Sequence, residues 1–227
     1  MNYEKDYFSG SHNPVNFFRS LHFDSKFYQE NPDYFHPSGI WVFCGPQGSG
    51  KTLSAIKTVK KLVSAYPKCI VCSNLDIHGL DVPLIRFTDY SQLADLKNDT
   101  YGVIFLIDEI HVLWNSLESK NIPISEMACF AQMRKDRRVI IGTSQVYGRI
   151  AKPIREQLQL AIKCRNILKY LQINDIVDPN GESARGEKDG ELEGEKLGTQ
   201  WFFHTPADYT AYDTLKKIER FKRKGGF

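Results

Sequence analysis

Gly45-Pro46-Gln47-Gly48-Ser49-Gly50-Lys51-Thr52 fits the pattern G-x-x-x-x-G-K-[ST], a glycine-rich loop that wraps phosphate. Gly39 to Cys44 (GIWVFC), just ahead of it, is a short apolar run that reads as a buried strand. Behind it, Leu53, Ile56, Val59, Leu62, Val63 and Tyr66 recur at helical spacing. Strand, loop and helix in that order suit the chemistry. Glycines let backbone N–H groups turn inward onto phosphate oxygens, and the helix N-terminus adds unpaired donors and partial positive charge. Lys51 is long enough to reach β- and γ-phosphates, and the Thr52 hydroxyl is a ligand type for Mg²⁺. Gly45 through Leu53 are therefore the nucleotide-binding candidates.

The second signal is Gly102-Val103-Ile104-Phe105-Leu106-Ile107-Asp108-Glu109. Five consecutive apolar residues mark a strand buried on both faces, as in a parallel sheet. Two carboxylates follow at its C-terminal end. Asp108 suits Mg²⁺, and Glu109 suits a general base for an attacking water. The plainer alternative is two acids at a helix start, where negative charge is favoured. Val139 to Gly142 reads as a further buried strand, ending in Thr143-Ser144-Gln145. If that strand lies between the two motif strands, Gln145 can sense a γ-phosphate.

Elsewhere the chain is less explicit. Lys68 to Ser73 reads as a strand whose end, Asn74-Leu75-Asp76, comes off toward the ligand crevice or simply turns. Residues 76–100 read as loop with a short helix at Ser91 to Leu96. A helix is expected over SEMACFAQMRKDRR, from Ser125, and another over Ile150 to Leu160. Leu160 to Ile176 alternates like strand, Gln200 to His204 returns as strand, and Asp208 to Lys217 suggests a final turn or short helix. Residues 1–38 are rich in Phe, Tyr, Asn and Asp. They read as an arm, packed on the domain's flank or docked on a neighbouring subunit. The core is expected over 39–176. An acidic, glycine-rich loop, the returning strand and a basic tail (Lys216, Lys217, Arg220, Lys222, Arg223, Lys224) fill 177–227.

The 227 residues are 41% hydrophobic and 25% charged, ordinary for a soluble globular chain of one α/β domain with decorations, or of one domain and a small appendage. A net charge of +3 is too mild to define a nucleic-acid partner by itself. No apolar run approaches the roughly 20 residues of a membrane helix, and the first residues lack a signal pattern. The expected location is the cytoplasm, of a host if the protein is viral, or the virion. Cys44, Cys69, Cys72, Cys129 and Cys164 are an odd count and read as reduced thiols. Cys69 and Cys72 have C-x-x-C spacing, but no second pair follows at zinc-site spacing.

With both motifs quoted, the segment from Gly39 to Leu160 resembles the FtsK–HerA class of P-loop ATPases, and within it the zonular-occludens-toxin-like and viral genome-packaging ATPases. GPQGSGKT, the strand-end SNL at Ser73 to Leu75, VIFLIDEIH, MRKDRRVIIGTSQ and AKPIRE carry the likeness. It implies an additional-strand (ASCE, RecA-like) fold. That is α/β, with a mostly parallel central sheet flanked by helices and a C-terminal strand pair or hairpin. It implies ATP and Mg²⁺ as cofactors, Lys51, Glu109 and Gln145 as catalytic residues, and Thr52 and Asp108 at the metal. Arg134 falls where the class carries an arginine finger acting in trans, with Arg137, Arg138, Arg149 and Arg155 as rivals. The implied partners are further copies in a homo-oligomeric ring, double-stranded DNA and a capsid portal or vertex protein. The expected function is a genome-packaging DNA translocase. The alternative is a filamentous-phage-type assembly or export ATPase working with a membrane partner. A nucleotide-operated binding switch and a small-molecule kinase are the other readings.

Overall fold

The eight strands are β1 (Gly39–Cys44), β2 (Ile70–Ser73), β3 (Leu84–Arg86), β4 (Val103–Ile107), β5 (Arg138–Ser144), β6 (Leu158–Ile167), β7 (Leu171–Asp178) and β8 (Glu195–Phe203). The computed structural model describes residues 26, 27, 29–180, 192 and 194–212. The chain divides into two units, Met1–Tyr34 and Phe35–Phe227. In the first, the Asn31 N–H and side-chain amide both donate to the Phe27 carbonyl, at 2.9 and 3.0 Å. Residues 1–25 and 28 of the aromatic arm, most of the acidic loop and the basic tail lie outside the described residues.

The second unit holds one sheet in the order β3-β2-β4-β5-β1-β6-β7-β8. From β3 to β6 every pairing is parallel. β7 and β8 then extend the sheet antiparallel. The expected architecture is borne out, including the additional strand. β5 lies between β1, which feeds the glycine loop, and β4, which carries the acids.

Sequence explains this centre. All residues of β4 and β5 are buried, so those strands need cover on both faces. Alternation sends Ile104, Leu106, Val139 and Ile141 to one face, against Ile56 and Val59 of helix α1 (Lys51–Ala65). Val103, Phe105, Ile107 and Ile140 go to the other, beneath Trp114 and Phe130. That second cover uses α2 (Gln92–Asp95), α3 (Ile110–Leu113) and α4 (Ile124–Ala131). The Trp114 and Phe130 rings meet edge-on at 5.3 Å, and the buried Trp114 Nε1 donates to Glu126 at 2.8 Å. The same alternation separates Cys69 and Cys72, which enter opposite core clusters. They cannot share a metal. Burial pushes their thiols up to about 11 and about 12, so both stay protonated.

Three expectations fail here. The expected helix over Ile150 to Leu160 is only α5 (Lys152–Arg155), because the chain is taken into β6, where Leu158 pairs beside Ile40 of β1. Sheet pairing overrides helix propensity at that point. The helix expected from Ser125 ends at Ala131, and turns follow until Arg137, at φ 52°, hands over to β5. The third is β3, which falls in a stretch that reads as loop. Its three residues, behind Pro83, are too few to carry a period.

Arg138 is the most deeply buried charged side chain among the described residues. It is 1% exposed, donates to the Leu93 carbonyl and, at 2.9 Å, to the Ala94 carbonyl, and faces Asp136 at 3.4 Å. Methionine there would leave two carbonyls without donors. Arg138→Met is expected to cost about 2–3 kcal/mol, read as a shift in urea midpoint with unchanged slope. Among the described residues no helix is long and apolar enough to cross a membrane.

Candidate active site

Register brings the site together. Ile107 pairs with Gly142, so the next residues, Asp108 and Thr143, emerge side by side. Cys44 pairs with Ser144, so the glycine loop opens beside the same strand end. The Gly45 N–H donates to the Ser144 carbonyl at 3.3 Å. Parallel strands put all these ends on one edge, where open α/β sheets place their ligands.

In the loop, Pro46, Gln47 and Gly48 are exposed at the tip, whereas Ser49 and Lys51 are buried. Lys51 Nζ donates to the Pro46 carbonyl at 2.9 Å. Gly48 and Gly50 stand at φ 78° and 79°, a region costly for other residues. Gly50 is needed twice over, since a Cβ there would overlap the Gln172 side chain. Leu53, the last nucleotide-binding candidate, is buried in the first turn of α1.

The acids are built in from three strands. Asp108 Oδ1 accepts from Thr52 Oγ1 at 2.9 Å and from Thr143 Oγ1 at 2.6 Å. Asn74, at the end of β2, pairs reciprocally with the Asp108 backbone at 2.8 and 3.0 Å. Burial raises the Asp108 pKa, while the Thr143 and Thr52 hydroxyls oppose that rise. Glu109 takes a left-handed conformation, φ 53° and ψ 51°, at a cost of about 1–3 kcal/mol. Its N–H donates to Thr143 Oγ1 at 2.9 Å. Its carboxylate is bracketed by Gln145 Nε2, 3.3 Å from Oε1, and His111 Nδ1, 3.2 Å from Oε2.

His111 Nδ1 also lies 3.1 Å from Ser144 Oγ, whose own hydrogen goes to the Val146 carbonyl. With acceptors on both sides, Nδ1 carries the ring proton. Burial lowers the His111 pKa, Arg149 and Lys51 add to that, and Glu109 opposes it. The ring is therefore neutral near pH 7.

Thr52 and Asp108 offer a hydroxyl and a carboxylate 2.9 Å apart beside the phosphate loop. Hard oxygen donors supplied by one carboxylate and one hydroxyl suit Mg²⁺, which completes its shell with phosphate and water. Among the described residues no cluster of three or more His, Cys, Asp or Glu competes as a metal site.

Arg134 is exposed on the turns before β5, at the edge of the sheet opposite the phosphate loop. The seven residues of β5, at a rise of about 3.3 Å each, separate it from its own site by roughly 20 Å. Of its rivals, Arg138 is consumed in the core, Arg137 donates to the Asp99 carbonyl at 3.1 Å, and Arg155 lies over the Tyr147 ring at 5.6 Å. Arg149 is exposed, and its charge acts on His111 of the same chain.

Residues 41–166 match the family described as ATPase family associated with various cellular activities (AAA). The chain belongs to the AAA family. As an AAA-family protein it is an ATPase, and the P-loop class expected from the sequence is borne out. One solved ATPase domain is similar in fold, at TM-score 0.50 and 10% identity, covering 87% of this chain and 98% of that one. The N-terminal domain of zonular occludens toxin from Neisseria meningitidis has TM-score 0.49 and 15% identity, covering 78% and 99%. The genome packaging NTPase B204 from Sulfolobus turreted icosahedral virus 2, in complex with sulfate, has TM-score 0.49 and 14% identity, covering 63% and 92%. At 10% identity the first of these speaks to fold alone. No curated protein matches the sequence.

Four residues of this AAA ATPase's site escape a reading of the sequence. Asn74 reads more simply as a turn, and Thr143 only as part of a strand end. His111 closes the VIFLIDEIH run but is given no role there, and Gln172 belongs to no motif. Only the strand-end positions of Asn74 and Thr143 carry a signal. Gln172 belongs to β7, and nothing local reveals that its Nε2 donates to the Ser49 carbonyl at 2.9 Å.

Proposed function

We propose that this ATPase is a motor, working as a homo-oligomeric ring that moves double-stranded DNA, in the manner of a genome-packaging translocase. One observation carries the ring. The site has its phosphate loop, metal donors, base and sensor within one chain, while exposed Arg134 stands across the sheet from them. An arginine so placed is out of reach of its own phosphates, which supports a role at a neighbour's site.

The residues divide the work as follows. Lys51 and the amides of Gly48 to Leu53 hold the triphosphate. Thr52 and Asp108 would hold Mg²⁺, which would supply positive charge to offset that of the triphosphate. Glu109 accepts a proton as water oxygen attacks the γ-phosphorus and the bond to the bridging oxygen breaks. Gln145 keeps the Glu109 carboxylate in place and meets the γ-phosphate. The neighbour's Arg134 stabilises the charge that develops on the transferred group.

DNA as the polymer rests on the likeness of MRKDRRVIIGTSQ and AKPIRE to packaging and assembly ATPases. A capsid portal or vertex protein would be the further partner. The test is steady-state phosphate release with and without double-stranded DNA. Severalfold stimulation that fades with salt is expected. A rate indifferent to DNA would redirect the reading to particle assembly or export.

A further inference from the structure

A cleft of about 280 Å³ opens beside the phosphate loop. Gly48, Gly50 and Lys51 of the loop itself, continuing into Thr52 and Leu53, form one wall, and His204, Asp208, Tyr209 and Tyr212 form the other. The volume lies just under the range of about 300–1,000 Å³ usual for small-molecule sites. The second wall is a strap that leaves β8 at Phe203, turns through α6 (Pro206–Tyr209) and crosses the N-terminal end of α1.

The strap is fixed along its length. Lys57 of α1 reaches Asp208 at 2.9 Å and lies 4.1 Å from the centre of the Phe202 ring. Ala211 is buried against the core that contains Ile77, and its carbonyl accepts from the His78 N–H at 2.9 Å. Tyr212 bridges to Ile77. The aromatic wall is also ordered internally. His204 Nδ1 lies 3.2 Å from the Tyr209 hydroxyl, with the rings edge-on at 5.8 Å. His204 Nε2 stands 3.4 Å from Gln172 Oε1, and Gln172 in turn holds the Ser49 carbonyl. Burial lowers the His204 pKa, so its ring is neutral near pH 7, and the Asp208 charge is answered by Lys57.

We infer that the cleft is the nucleoside subsite, taking the base and ribose of the bound nucleotide against Tyr209, Tyr212 and His204. The inference rests on the ATP-site reading and extends it. Phosphate has no use for a neutral aromatic wall, whereas a base does, because every base offers a π-face to stack. The wall begins where the loop hands the phosphate chain to Thr52 and Leu53. A nucleoside attached to the far end of that chain would enter here. The Gln172–His204 contact then joins base occupancy to the geometry of the Ser49–Gly50 turn.

Titration calorimetry of ATP and of inorganic tripolyphosphate, both with magnesium, separates the two subsites. Tyr209 is 56% exposed, so its truncation should leave the fold intact. Tyr209→Ala is expected to weaken ATP by about tenfold and tripolyphosphate by less than about twofold. Tyr209→Phe should keep ATP near the wild-type affinity. Equal weakening of both ligands, an unchanged ATP affinity, or a phenylalanine variant as weak as alanine would each overturn the subsite. Wild-type protein that binds tripolyphosphate as tightly as ATP would also overturn it, with the phosphate site intact. Binding of neither ligand would overturn the ATP-site reading itself.

Discussion

Glu109→Gln lowers kcat by about 10²–10⁴-fold, the usual weight of a positioned general base, while ATP affinity stays close to wild type. The substitution keeps shape and the possibility of a hydrogen bond to Gln145, which sits 3.3 Å from Oε1. What it removes is the proton acceptor. The carboxylate is held ready by a strained backbone at φ 53° and by neutral His111. Neither contact touches the groups proposed to hold ATP, so binding and turnover should separate. Single-turnover phosphate release alongside calorimetric ATP binding makes the comparison. Parallel loss of both would mean that Glu109 supports the site's structure rather than its chemistry.

Arg134→Ala is expected to cost about 10³–10⁵-fold in turnover, the weight of an arginine finger, and to leave each chain's own ATP affinity unchanged. In the proposed ring this effect is intermolecular. Arg134 lies at the far end of β5 from Gln145, so it cannot bend back to its own phosphates. Mixed assemblies supply the decisive form of the test. In a ring of Glu109→Gln and Arg134→Ala chains, some interfaces pair an intact Glu109 with an intact Arg134 from the neighbour. Turnover should reappear on mixing two preparations that are inactive alone. Failure to recover at every ratio would remove Arg134 from the shared site. Arg149, exposed and close enough to act on His111, would be examined next.

The centre of the fold is legible in the sequence because its signals are local. A glycine loop between an apolar run and a helical stripe needs no partner to be read. Five apolar residues ending in Asp108 and Glu109 are equally self-contained. The position of β5 between the motif strands follows from the resemblance, and the sheet order bears it out. The losses occur where long-range pairing decides. Leu158 belongs to a strand because β1 is there to receive it, not because of its neighbours in sequence. Within the site, Asn74 and Gln172 act through hydrogen bonds to groups 34 and 123 residues away. No spacing rule reaches that far. The arginines show the same limit: five stand in the sequence as rivals, and only burial removes Arg138 from contention.

Calorimetric titration of the purified chain with ATP, with magnesium and then with chelator, tests the central claim most directly. One ATP per chain is expected, bound more tightly with magnesium and lost in Lys51→Ala. A wild-type chain that takes up no ATP, or a Lys51→Ala chain that takes it up equally well, would contradict the site described above.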